Sequence, residues 1–199
     1  MFCVDVGDMN TETLEQTILW RRLDSPGHDA CALWVSDNGW RLAGTAMFRA
    51  EEQPCHLSYE VNCDSSWRTR SASVIGWLGR ITVNLALEAV PGERWTLNGN
   101  EQGEEVVGLI DIDLGFTPST NLIQLRRLSL DIGHEAEAPV AYLHFPELTL
   151  GRLEHQYRRV ALDKYDYQAP SFNYAAILQV SDLGFVTQYP GLWALEVLQ

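Results

Sequence analysis

The sequence predicts a mainly β protein: a many-stranded, mostly antiparallel curled sheet (a β-roll) wrapped around a single α-helix at about residues 118–128. Three observations predict it. Through most of the 199 residues, apolar positions alternate with polar ones at period two, as in strands with one buried face. Turn signals such as Asp37-Asn38-Gly39, Pro91-Gly92, Asn98-Gly99 and Pro190-Gly191 divide the chain at strand-length intervals. One stretch departs from this pattern. In Thr117-Pro-Ser-Thr-Asn-Leu-Ile-Gln-Leu-Arg-Arg-Leu128, residues Leu122, Leu125 and Leu128 recur at helical spacing and Ile123 widens the apolar stripe. A lone apolar helix in a strand-rich chain is a natural core for a sheet to curl around.

From the start, the first 16 residues are polar and acidic. Thr13-Leu-Glu-Gln16 can be a capping box opening a short helix to Arg22, and a strand over 16–24 fits equally well. Segments 29–36 and 40–49 flank Asp37-Asn38-Gly39 as a hairpin, since Asn and Gly tolerate positive φ. Further strands are expected at 56–63, 68–77, 80–89 and 94–97, with Gly76, Pro91-Gly92 and Asn98-Gly99 as punctuation. An acidic loop at 101–105 precedes a strand at 106–114. Thr117 can then cap the helix, and Pro118 suits its first position because no amide donor is needed there. Segments 128–133 and 139–145 read as extended. The stretch 150–162 has near-helical spacing at Leu150, Leu153, Tyr157 and Val160, and the balance favours strand. In 171–180, Phe172, Tyr174, Ala176, Leu178 and Val180 share one face; a turn at 181–184 leads to 185–189, and Pro190-Gly191 precedes 192–198. With no repeat, linker or low-complexity tract, residues 1–199 read as a single domain.

At 22.5 kDa and 46% apolar residues, the chain is long and apolar enough to bury a core. A net charge of −13 argues against a nucleic-acid partner and against adsorption to anionic membranes. Seven Trp and seven Tyr suit half-buried sheets and equally suit stacking on sugar rings. Cys3, Cys31, Cys55 and Cys63 include no C-x-x-C pair and no companion histidines at ligand spacing, so neither a metal nor a redox pair is expected. The start lacks a signal-peptide pattern, Cys3 follows no apolar run, and no run approaches the ~18 residues of a membrane span. A cytoplasmic protein with free thiols, no transmembrane segment and no cofactor is the expectation.

Motifs for nucleotide binding, serine hydrolysis and zinc proteolysis are absent. Two period-two pairs carry more information. Arg68 and Arg70 project from one side of an extended segment, as do Asp111 and Asp113, with Ile110, Ile112 and Leu114 opposite. If the helix is enclosed, Arg126 and Arg127 need carboxylate partners, and Asp111 and Asp113 stand just upstream. Two readings remain open. One is a salt-bridge ladder of Arg68, Arg70, Arg126 and Arg127 against Asp111 and Asp113 that only closes the fold. The other is a polar pocket beside the helix start, where Asp64, Asp111, Asp113 and Asn121 meet sugar hydroxyls and Trp67 or Tyr142 stacks on the ring. Paired carboxylates can also serve as glycosidase acid and base, although no spacing here shows two of them flanking a bond.

At these residues the chain resembles a bacterial glycolipid-binding family first described as a domain of unknown function. The resemblance rests on Tyr59-Glu-Val-Asn-Cys-Asp64, Trp67-Arg-Thr-Arg70, Asp111-Ile-Asp-Leu114, Thr117-Pro118 with Thr120-Asn121, Arg126-Arg127-Leu128, Val140-Ala-Tyr142 and Gln188-Tyr-Pro-Gly-Leu192, spanning about 20–193. It departs from the family pattern at Ser119, where Phe is usual, and at Gln124, where a proline is usual; a regular helix is easier without that proline. The resemblance implies a sheet wrapped around one helix, remotely like the lipoprotein localisation factors. It also implies a homodimer and an acidic pocket binding a glycolipid or related amphiphile in glycolipid metabolism or envelope maintenance. Carried over residue by residue, the implied ligand-binding set is Asp64, Arg68, Arg70, Asp111, Asp113, Asn121, Arg126 and Arg127. A non-catalytic binder, a carboxylate-dependent hydrolase of a glycolipid and a structural dimeric β protein are the three functions these features allow.

Overall fold

A computed structural model describes residues 12–92 and 94–199. Cys3 and most of the acidic N-terminal stretch lie outside the described residues. The strands are β1 (Thr13–Arg22), β2 (Gly27–Ser36), β3 (Gly39–Ala50), β4 (Gln53–Cys63), β5 (Thr69–Leu78), β6 (Ile81–Val90), β7 (Arg94–Leu97), β8 (Asn100–Glu101), β9 (Ile112–Leu114), β10 (Glu135–Glu137), β11 (Val140–Leu143), β12 (Leu150–Leu153), β13 (Gln156–Ala161), β14 (Lys164–Ala169), β15 (Tyr174–Val180), β16 (Val186–Tyr189) and β17 (Trp193–Leu198). The helix α1 covers Asn121–Leu128. Fourteen strands form one antiparallel sheet in the order β10-β13-β14-β15-β16-β17-β1-β2-β3-β4-β5-β6-β7-β8, and β12-β11-β9 form a second, with β9 parallel to β11.

The large sheet curls around α1. Leu122 and Ile123 pack into a core built mostly from β1–β7, while Leu125 packs with Tyr157, Tyr165, Tyr167 and Leu178 of β13–β15. Residues 121–125 are buried all round the helix, Asn121 and Gln124 included. Enclosure on every side is what an eight-residue helix needs, since helices this short are marginal in water and owe their stability to packing. The two halves of the sheet meet at β1, which pairs with β2 on one side and β17 on the other. There the strand reading of residues 13–22 prevails over the capping box. Ile18 and Trp20 point inward, and the Trp20 indole donates to Val186 O across the seam.

The Asp37-Asn38-Gly39 hairpin forms with Ser36 opposite Gly39, and Asn98-Gly99 turns with both residues at positive φ, as an Asn-Gly hairpin requires. A close approach fixes Gly44 in β3. Its cross-strand partner is Tyr59, whose ring lies where a Cβ would stand, 2.4 Å away. The aromatic ring covers the glycine, as sheets often arrange it.

Several boundaries differ from the sequence reading. The helix begins at Asn121 rather than near 118; the Thr117 hydroxyl accepts from the Ser119 amide, as a cap does, and donates to Asp29, but the chain forms a turn at 118–120 before the helix proper. Thr120 occupies the cap position without a capping side chain; its hydroxyl accepts from Leu114 N and reaches Asp113. The expected strand at 106–114 shrinks to 112–114, since a 3₁₀ turn occupies 104–106 and Gly108 adopts φ +82°. Residues 128–133 turn rather than extend, as Ser129 takes a left-handed conformation that ends α1. Gly76 does not interrupt β5. Residues 150–162 are two strands, β12 and β13, and Phe172 falls in a 3₁₀ turn before β15. No helix among the described residues is long and apolar enough to cross a membrane. Cys31, Cys55 and Cys63 are buried free thiols, and no metal-holding cluster occurs among the described residues.

Candidate functional site

Where the start of α1 meets the smaller sheet and β14–β17, the chain leaves a cavity of about 310 Å³. Its polar floor comes from Asp113 in the middle of β9, Thr117 in the following turn, Asn121 in the first turn of α1, and His155 between β12 and β13. Its walls are aromatic. Tyr142 comes from β11, Tyr167 from β14, Phe172 from the 3₁₀ turn, Tyr174 from β15, Tyr189 from β16 and Trp193 from β17. Tyr167, Tyr174 and Tyr189 pack against one another with ring centroids 5.5–6.1 Å apart. Gly115 makes room for Tyr142, whose hydroxyl lies 2.3 Å from where a Cβ at Gly115 would be.

The floor is electrostatically unsettled. Asp113 is 7% exposed, and among the described residues the Thr120 hydroxyl alone donates to it, at 3.2 Å. Burial pushes its carboxyl up to about 7. His155 is wholly buried, and neither ring nitrogen has a hydrogen-bond partner among the described residues. Its Nε2 stands 3.6 Å from Asp113 Oδ2, beyond a good hydrogen bond. Burial drives the imidazole down to about 3, so it is neutral at physiological pH. A buried polar group without a partner costs about 1–3 kcal/mol, and both residues belong to the cavity lining. Asp113 keeps the accessible surface of this pair.

Behind the floor, Asp29 of β2 is fully buried and receives the Tyr59 hydroxyl at 3.1–3.2 Å and the Thr117 hydroxyl. Ser119 Oγ lies 2.9 Å from Thr117 Oγ1. Desolvation outweighs these donors and raises the Asp29 carboxyl to about 7. This network ties the turn before α1 to the sheet.

The family model described as "Putative glycolipid-binding" matches residues 17–194 of this chain. The chain belongs to this family. The chain is similar to a crystal structure of a DUF1089 family protein from Pseudomonas aeruginosa, with a TM-score of 0.73 and 27% identity over 83% of this chain and 91% of that one. Among the curated proteins, none matches.

In this member of the family, the sequence-implied residues divide among several places. Asp113 and Asn121 line the cavity, with Tyr142 in its wall. The Asn121 amide donates to the Tyr157 hydroxyl at 2.8 Å. Asp111 is fully buried outside the cavity lining and takes a bidentate grip from Arg127, at 2.6–2.9 Å. Burial still raises the Asp111 carboxyl, against the opposite pull of Arg127 and the nearby charge of Arg68. Asp64 accepts from Arg70 at 2.6 Å and from the Ser66 and Arg68 amides, which ties down its own loop. Arg68 and Arg70 border a cleft of about 260 Å³ beside Pro91-Gly92. Arg126 stacks over Trp67 at 5.5 Å and borders a different cleft with Arg159 and Asp163. Of the expected ladder, the Arg127–Asp111 rung forms, with the charge of Arg68 nearby, while Arg70 pairs with Asp64 and Asp113 neighbours Thr120 and His155.

Sequence reasoning missed His155, Tyr167, Tyr174, Tyr189 and Trp193 as cavity residues. In Lys164-Tyr-Asp-Tyr-Gln-Ala169 the alternation that buries Tyr165 and Tyr167 was visible. Nothing local distinguishes His155 from a surface histidine; its role follows from the turn that aims it at Asp113.

Proposed function

We propose that the chain is a non-catalytic binder of a glycolipid or a related sugar-bearing amphiphile, with the polar head in the Asp113 cavity. The observation that carries this reading is the pairing of an under-bonded carboxyl and an unpartnered buried imidazole within aromatic walls. Carboxylate and imidazole match sugar hydroxyls, which donate and accept, and tyrosine and tryptophan faces match the apolar faces of a pyranose ring. Ligand pockets span roughly 300–1,000 Å³. At about 310 Å³ the cavity suits a head group and not a whole lipid. The tail then leaves past Leu192 and the half-exposed Phe172 at the cavity edge. The hydrolase reading needs two carboxyl groups about 5–10 Å apart across the scissile bond. Asp113 is the one carboxylate among the described residues lining the cavity.

Native mass spectrometry of the protein incubated with extracted bacterial membrane lipids should show a retained sugar-bearing lipid. Asp113→Asn and Tyr167→Ala should each cut retention about tenfold or more, whereas Asp166→Asn on the outer face of β14 should leave it unchanged. Retention that survives both cavity substitutions places the ligand elsewhere and ends this reading.

A further inference from the structure

We infer that the head group this cavity takes carries a protonated amine, an inference that rests on the binding reading above and specifies its ligand. The charge balance of the cavity leads there. Asp113 supplies the one carboxyl among the described residues of the lining, and no lysine or arginine is among them. Uronates, sulfates and phosphates therefore meet a carboxylate with nothing to offset it, within a chain of net charge −13. A neutral hydroxyl satisfies Asp113 but leaves the buried charge without a counter-ion. An ammonium supplies that charge and three donors.

The floor is shaped for those donors. Asp113 Oδ2 and the Nε2 of neutral His155 stand 3.6 Å apart, and each can accept a hydrogen bond. One ammonium hydrogen-bonds Asp113, the partly exposed member of the two, and sets its charge beside the covered imidazole, whose nitrogens have no hydrogen-bond partner among the described residues. The rest of the lining includes Tyr142, Tyr167, Phe172, Tyr174, Tyr189 and Trp193, a residue class whose ring faces attract cations. An aromatic lining with one carboxylate and no basic residue among those described favours a cation over an anion.

A proton linkage follows. The titratable groups around Asp113 are His155 from the β12–β13 turn, Tyr142 of β11, Tyr157 of β13, Tyr167 of β14 and Tyr189 of β16. Burial keeps the imidazole neutral and raises the tyrosine hydroxyls, so among the groups lining the cavity Asp113 alone changes charge near neutral pH, while Asp29 titrates in the same range behind Thr117. A cation binds the ionised carboxylate. Affinity for an amine should therefore rise with pH, by up to about tenfold per unit, and level off above about 7. A neutral ligand should show little of this dependence.

The test is calorimetric titration of the full chain with five probes. They are octyl 2-amino-2-deoxyglucoside, its N-acetylated form, octyl glucoside, octyl glucuronide and octylamine. The amino glycoside should bind at least about tenfold more tightly than the N-acetylated one, with the glucuronide weakest. The advantage should vanish in Asp113→Asn, whose side chain keeps the shape and the Thr120 hydrogen bond, and should shrink in the wild type from pH 7 to pH 5. The wild-type pH series decides the matter should the variant not fold. An amino glycoside tighter than octylamine assigns the amine to a sugar. The reverse order keeps the amine and overturns the glycolipid reading. Equal affinity for the amino and N-acetylated glycosides overturns the amine inference and leaves glycolipid binding in place. Binding of none of the five overturns both.

Discussion

Replacing Arg127 with Met should destabilise the protein by about 3–5 kcal/mol, the range for stripping one partner from a buried ion pair. Asp111 is fully buried, whereas the Arg127 side chain is 20% exposed, so losing the arginine strands the more costly group. Three Arg127 contacts at 2.6–2.9 Å disappear together. The pair also joins α1 to the segment before β9, where the Asp111 carbonyl accepts from Ala141 N and the Ile110 carbonyl from Thr69 N. A thermal melt should register a fall of roughly 10 °C for a chain of this size. Asp111→Leu with Arg127→Met removes both charges at once and should recover most of the loss, because apolar replacement of a whole pair is often neutral or better. A double variant as unstable as the single would show that the contacts, and not the stranded charge, set the cost.

The second large effect concerns Asp29 and pH. Its carboxyl sits at about 7 in the folded protein, above the ordinary carboxylate range near 4, because burial outweighs the Tyr59 and Thr117 donors. The folded state therefore holds this proton more tightly than the unfolded one. The resulting stabilisation is fully present below about pH 4 and is lost as pH rises through about 7. At about 1.4 kcal/mol per pH unit, the stability of Asp29→Asn relative to wild type should improve by up to roughly 4 kcal/mol between pH 4 and pH 8. Urea denaturation of both proteins at the two pH values measures it. A stability difference that does not move with pH would show that the hydroxyl donors hold Asp29 ionised throughout.

The fold was legible where local chemistry and global packing agree. Alternation and Asn-Gly turns placed β2–β7, and the lone leucine stripe identified the helix that the sheet encloses. Legibility failed where tertiary contacts overrule local preference. Thr117 and Pro118 resemble a helix start, yet a carboxylate from β2, 88 residues earlier, takes the Thr117 hydroxyl. Ser129 and Gly108 break segments whose apolar composition suits strands.

The site divides in the same way. Asp113 and Asn121 stood out because two acids at period two precede the helix, but the same pattern made Asp111 look equivalent. Three-dimensional placement separates them, with Arg127 beside Asp111 and open space beside Asp113. The aromatic wall is assembled from five strands and a 3₁₀ turn, so no single window of sequence contains it. Two departures from the family pattern have local uses. The Ser119 hydroxyl joins the Asp29 network, and the Gln124 amide donates to Ile112 O while its carbonyl accepts from Tyr157.

The most direct measurement is a crystal structure of the protein soaked with an alkyl glycoside. The account predicts the sugar ring between Asp113 and His155, against Tyr167 and Trp193, with the alkyl chain leaving past Phe172. A sugar bound instead at the Arg68–Arg70 cleft or on the outer face of the sheet, with the Asp113 cavity empty, would contradict it.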